Sequence, residues 1–562
     1  MVMSWRSLLT LLEVLALAQA VPPGKPTPPP LPSPTAQSAV IRGTVVNYSD
    51  GSPISGVKIS VGVPGHGGIV GSDTSDATGH YAIHVPPEKY TAYATKDGFV
   101  AQFYKDVADF PVIQANDGQE TMADFRMLPG AVISGRVMDT NGSPIPNVRL
   151  GANIKIYRQG RVDVWMQASA QTNAQGEYRI ANLPSGRYFL QAIRNDDANK
   201  PGRQFEAVFY PAAARIDDAE SLRVAVGEEK RSIDFRLSDA AIHSVSGRIT
   251  FLDSGQPVPN MAIQVYPDYL GPATRASVDA QPDGAFRLDR LTAGRYRMEG
   301  KQRRIEYDGV PASFLHFFEV TSGDIRDMAI HVGHGPKLQG TVQALGGRLP
   351  DQLIADILYR DPVDDARHEF IQTAPVSSTD GTFEFMNVQP GIYDIGFDIP
   401  GISSTAERKF FVRTISFNGR DVIETGITVA ERSAPIEISA TLDFQPGRML
   451  GKTLDSKDRP IPGARLALMS ADPNKRRLSP YWKETTSDRD GSFRFPDVVP
   501  GDYLLIVWPQ SPSWEDLSGL DPEAFDILEQ HATSVHVDRA QAVEKNVQLT
   551  EEVRNLLERL LR

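Results

Sequence analysis

The chain has 562 residues, of which 41% are apolar and 23% charged, with 46 Gly, 42 Pro and no Cys. This is the composition of several globular domains rich in turns, and it excludes disulfides, thiolate catalysis, Cys-based metal sites and a cysteine lipid anchor. The formal net charge of −12 disfavours nucleic acid and anionic membrane surfaces, both of which are held by clustered Lys and Arg.

Residues 1–20 read as a secretory signal. Arg6 supplies the positive end, Leu8 to Leu17 are mostly apolar with Glu13 interrupting, and Ala18-Gln19-Ala20 is a small-x-small cleavage pattern. This predicts export to the periplasm, the cell surface or beyond. No later stretch has the run of apolar residues that spans a bilayer as a helix. Residues 21–37 form a Pro-rich linker, with eight prolines in the thirteen residues from Pro22 to Pro34. Such a segment favours extended polyproline II and acts as a stiff spacer.

The remainder repeats. Five hairpins share Gly-x-aromatic-x-apolar: they begin at Gly79, Gly176, Gly284, Gly381 and Gly491 and carry Tyr81, Tyr178, Phe286, Phe383 and Phe493. Three residues before each Gly sits Asp76, Asn173, Gln281, Ser378 or Asp488, suited to bonding the turn backbone while Gly takes φ > 0. A Tyr follows each hairpin Gly by eleven or twelve residues: Tyr90, Tyr188, Tyr296, Tyr393 and Tyr503. Gly186, Gly294, Gly391 and Gly501 precede the last four by two, and Pro390-Gly391 and Pro500-Gly501 predict type II turns. Upstream of each hairpin a strand opens at Gly43, Gly135, Gly247, Gly340 and Gly451, with spacings of 92, 112, 93 and 111 residues. Short strands with turn signals at this density predict an all-β fold. The predicted domains are 38–129, 130–240, 241–334, 335–445 and 446–549. The one predicted helix is terminal, residues 550–562, where Val553, Leu556, Leu557, Leu560 and Leu561 share a face.

These markers resemble the carboxypeptidase regulatory-like domain. The closest match is Leu183-Pro184-Ser185-Gly186-Arg187-Tyr188, and the resemblance spans nearly all of residues 38–550. It implies a tandem array of about five seven-strand, prealbumin-like sandwiches related in shape to carbohydrate-binding-like folds. It implies no shared catalytic residue. Such domains are appendages in metallocarboxypeptidases, and in bacterial exported proteins they stand alone or precede outer-membrane barrels.

No reaction chemistry emerges from the motifs. His316 and Glu319 have zinc-ligand spacing but lie in a strand-like run, where residues three apart face opposite sides. Asp488-Arg489-Asp490-Gly491 begins like a calcium loop, but the same slot is a hairpin turn in every repeat. The candidate ligand-binding residues are Trp165, Tyr481 and Trp482, which lie between repeated strands, where a flat ring can cover a sugar. The competing reading is that they pack over sandwich edges. Taken together, the sequence predicts a non-catalytic exported scaffold, adhesion or binding protein, elongated, with no cofactor or metal and with a polysaccharide or a cell-surface protein as partner. The alternatives are a carbohydrate-binding protein that uses those rings and a peptidase-associated subunit.

Overall fold

The computed structural model describes residues 39–561 except 65–67, 105–111, 159, 195–207, 214, 239–240, 253, 268–275, 303–312, 333–335, 361–367, 387, 401–408, 431–433, 477 and 510–520. The signal at 1–20 and the linker at 21–37 lie outside the described residues. About 58% of the described residues are strand and 6% helix. Among the described residues the strands enclose five hydrophobic cores, here termed domains 1 to 5, each between two facing sheets.

One plan recurs. In domain 1 the opening strand Ala39–Asn47 pairs antiparallel with the hairpin strand His80–Val85 and parallel with Glu120–Met122 and Phe125–Met127. The facing sheet runs Gly71–Thr74, Lys58–Gly62, Lys89–Thr95, Gln102–Phe103. Exposed and buried residues alternate strictly along His80–Val85, which puts every second side chain into the core between the sheets.

The repeated residues have physical reasons. The opening Gly and the hairpin aromatic are register partners in all five domains: Gly43 with Tyr81, Gly135 with Tyr178, Gly247 with Phe286, Gly340 with Phe383 and Gly451 with Phe493. A Cβ at Gly451 would lie 1.9 Å from the Lys545 carbonyl oxygen, and one at Gly135 2.0 Å from that of Ile233. Only Gly lets the parallel strand approach so closely. The phenol of Tyr178 donates to that same Ile233 carbonyl at 2.6 Å. The five hairpin glycines have φ between 71° and 81°.

The later Tyr locks its own turn. Tyr90, Tyr188, Tyr296, Tyr393 and Tyr503 donate to the carbonyls of Pro86, Pro184, Thr292, Gln389 and Val499, each four residues upstream, at 2.6–2.9 Å. The type II turn expectation needs correction. Gly391 and Gly501 have φ 159° and 156°, near extended and far from the roughly +80° of that turn. The buried phenol, rather than a turn hydrogen bond, closes the corner.

Two α-helices lie among the described residues. The terminal one, Glu551–Leu561, buries Val553 and Leu557 in the core of domain 5. The other, Pro522–Gln530, is inserted before the last strands of domain 5 and was not expected from the sequence.

Candidate functional site

The elements that break the repeat meet one another. In domain 2 the strands Val148–Arg158 and Arg161–Gln171 form a hairpin of eleven residues per arm, against five to seven in the strands equivalent to Val148–Arg158 elsewhere. Its end reaches domain 5, where the inserted helix and the segment between Arg465–Ser470 and Trp482–Thr486 build the opposing face.

The helix starts where its sequence dictates. Asp521 caps it, its Oδ1 accepting from the Glu523 N–H at 2.9 Å, with Pro522 in the first turn. Ala524, Phe525 and Leu528 anchor it in the core of domain 5. Its acidic N-terminus meets two guanidinium groups. Arg187 and Arg223 are register partners on adjacent antiparallel strands of domain 2, so their like charges sit side by side. Arg187 forks onto Asp521 with bonds of 2.9 and 3.2 Å and also reaches Glu523; Arg223 reaches the other Glu523 oxygen at 2.8 Å. Two carboxylates thus neutralise two cations, and bidentate geometry fixes the orientation.

Beside this cluster the Tyr157 ring stacks on Phe525 at 3.7 Å between centroids with a 21° interplanar angle, and faces Trp482 at 5.8 Å. Burial raises the Tyr157 phenol above its ordinary pKa, against a hydrogen bond from Arg476. Arg476 is itself buried, donating to the Ser470 carbonyl at 2.8 Å and pairing with Glu529 at 2.7 Å. The terminal helix packs against the inserted one and approaches the strand Gly186–Arg194 of domain 2. Partly exposed ion pairs contribute ~0.2–1 kcal/mol each and a stacked aromatic pair ~0.5–1.5 kcal/mol beyond its area, so the contact is worth a few kcal/mol.

Neighbouring domains are fixed by smaller devices. Asn182 and Asp497 each sit six residues after a hairpin Gly, at a register shift, with φ of 59° and 53°. Their side chains accept the backbone N–H of Gly98 at 3.0 Å and of Lys409 at 3.1 Å, both left-handed residues of the preceding domain. Between domains 4 and 5, the buried Asp443 takes Arg413 at 3.0 Å and Arg539 at 2.8 Å. Between domains 3 and 4, Phe317 stacks on Tyr359 at 6.1 Å.

Of the rings singled out from the sequence, Trp482 is 6% exposed and its indole N–H donates to Glu484 at 2.8 Å. Tyr481 packs half-buried on the same core, under Lys475. Trp165 is half-buried on the core of domain 2, opposite Ile154, and joins neither. Sequence reasoning missed Tyr157, Arg187, Arg223, Arg476 and the whole inserted helix. Asp521-Pro522-Glu523 was a readable start signal for the last. Among the described residues, no group of three His, Cys, Asp or Glu is placed to hold a metal, and no helix is long and apolar enough to cross a membrane.

The contact between domains 2 and 5 closes domains 2, 3, 4 and 5 into a circuit. The expectation of an elongated chain with distant ends is therefore corrected: two insertions, invisible to the repeat, bring domain 5 back onto domain 2.

The family of the carboxypeptidase regulatory-like domain matches residues 40–128 and 132–238. No curated protein matches the chain. Similar solved structures include the Bacillus anthracis TIE protein, 12% identical over 74% of this chain and 76% of that one, with a TM-score of 0.16. A streptococcal ancillary pilin is 12% identical over 53% of this chain and 98% of its own, with a TM-score of 0.21. The major pilin subunit of Bacillus cereus is 11% identical over 75% and 99%, with a TM-score of 0.15.

Proposed function

We propose that this chain, whose residues 40–128 and 132–238 are carboxypeptidase regulatory-like domains, is a non-catalytic exported scaffold that holds its β-sandwiches in a closed arrangement for adhesion to a cell-surface protein. The observation that carries this reading is the contact between domains 2 and 5. Residues outside the repeat fix domains against one another, through an aromatic stack and one cluster of two guanidinium groups and two carboxylates. The residues that do repeat are committed to turns and cores. Geometry of this kind serves the placement of surfaces. The signal-like residues 1–20 support an address outside the cytoplasm.

The absence of Cys makes the test direct. Arg223→Cys with Glu523→Cys should be joined within one chain by a short bismaleimide, and the linked protein should keep the scattering profile of the unmodified one. Failure to link, with an extended profile, would sink the closed-scaffold reading. Fusing residues 1–37 to an alkaline phosphatase that is active only outside the cytoplasm tests export separately.

A further inference from the structure

We propose that the domain 2 face built by Tyr157, Arg187 and Arg223 also receives the inserted helix of a second copy of this chain, so that two copies exchange the contact reciprocally. The proposal rests on the intrachain contact described above. Both halves stand ready without each other. The arginines lie on paired strands of domain 2, and the helix is anchored on its own domain through Phe525 and Leu528. Separating them leaves two formed surfaces and no unfolded element. The halves are 300 to 336 residues apart in sequence, so the same bonds form whether they come from one chain or two.

The chemistry selects the occupant. One half is cationic with an aromatic ring; the other is a helix start carrying Asp521 and Glu523, with Phe525 beside them. Like halves repel and unlike halves attract, which makes the contact heterologous, and a pair of copies satisfies both by reciprocal exchange. Within one chain, tethering supplies a local concentration on the order of millimolar. Exchange competes when copies are crowded to a similar density, as on a surface.

Complementary charge reversal tests this on the full chain. One variant carries Arg187→Glu and Arg223→Glu. The other carries Asp521→Asn, which keeps the helix cap, and Glu523→Arg. Each alone opposes like charges and should sediment as a monomer; an equimolar mixture should sediment as a dimer, because each chain then finds its complement in the other. A third chain with all four changes should regain the compact scattering profile of the natural one. If the mixture stays monomeric while the third chain is compact, exchange is overturned and the intrachain contact stands. If the third chain is extended and the chain carrying Arg223→Cys with Glu523→Cys fails to link, the contact itself is wrong and the proposal falls with it. Dimers of either variant alone would place self-association elsewhere and overturn the proposal.

Discussion

Replacing Gly79 and Gly51 by alanine, one at a time, separates backbone conformation from close packing inside one domain. The two residues share a left-handed geometry, with φ 81° and 72°. A Cβ on Gly51 meets nothing within 4 Å, whereas one on Gly79 would lie 2.5 Å from the Val45 carbonyl oxygen and 3.2 Å from Pro53. The left-handed region costs an L-residue about 1–2 kcal/mol, and about 0.4–1 kcal/mol returns through the stiffer unfolded chain. Gly51→Ala should therefore cost about 1 kcal/mol. Gly79→Ala must also push away the Val45 carbonyl, which accepts the Ile54 N–H at 2.9 Å. Leaving such a buried group unpaired adds about 1–3 kcal/mol, for a total of about 2–4 kcal/mol. Unfolding of five domains is not two-state, so the assay is native-state hydrogen exchange on the full chain, read in peptides of domain 1. At tenfold per 1.4 kcal/mol, the strongest amides should exchange roughly fivefold faster in Gly51→Ala and roughly 30- to 700-fold faster in Gly79→Ala. Equal losses of protection would refute the close-approach argument.

Burial opposes ionisation of Asp443, but hydrogen bonds from Arg539, the Gln445 N–H and Arg413 outweigh it and hold the carboxyl below its ordinary 3.8. Its contribution is complete above the unfolded value and is lost as pH falls through the lower folded one, so the junction of domains 4 and 5 should weaken below about pH 4; melts of Asp443→Asn against the natural chain should lose that acid dependence. Asn182→Gly keeps the left-handed backbone and removes the acceptor of the Gly98 N–H, which should cost about 1 kcal/mol and widen the spread of domain 1 orientations in small-angle scattering without altering the core of domain 2. Trp482→Ala should destabilise domain 5 by about 3–5 kcal/mol and release domain 2, whereas Trp165→Ala and Tyr481→Ala, at half-buried rings, should cost less. A polysaccharide that raised the melting temperature of the intact chain, but not of a variant carrying Trp165→Ala, Tyr481→Ala and Trp482→Ala together, would instead make these rings a binding platform.

The fold was legible because its constraints recur. A Gly whose added Cβ would lie 2.0 Å from a facing carbonyl oxygen, as at Gly135 against Ile233, and a Tyr that must reach back four residues, as Tyr188 does to Pro184, tolerate little else at those positions. The Tyr constraint recurs in all five domains, and the opening Gly is crowded in all five, by a carbonyl at four and by the Phe383 ring and Ile438 at Gly340, so each letter recurs with its constraint. The site left no such trace. Tyr157, Arg187 and Arg223 are ordinary strand residues in the sequence, and only the register that puts Arg187 opposite Arg223 makes them a pair. The inserted helix is nine residues long, too short to declare itself by periodicity beside a dense strand pattern, although its Asp-Pro-Glu start was present. The Pro-Gly turns were misread for a different reason: the dipeptide suits a type II turn locally, but a buried phenol at a distance of four residues sets the backbone instead.

This division bears on where function resides in a repeat array. A β-sandwich repeated five times offers five similar surfaces, and similar surfaces cannot tell domain 2 from domain 4. Specific contact requires something each domain does not share. The junction devices obey this rule in a graded way. Asn182 and Asp497 occupy the same slot, six residues after the hairpin Gly, and join only domains adjacent in sequence, where the chain itself already chooses the partner. Contact between domains 2 and 5, which the chain does not choose, uses a lengthened hairpin on one side and an added helix on the other. Charge then adds direction: cations lie on domain 2 and carboxylates on domain 5, so neither half can pair with its own kind. A change at a repeated position thus threatens the folding of one domain, as with Gly79. A change at Arg187, Arg223 or Glu523, none of which belongs to a core, should alter only which domains meet.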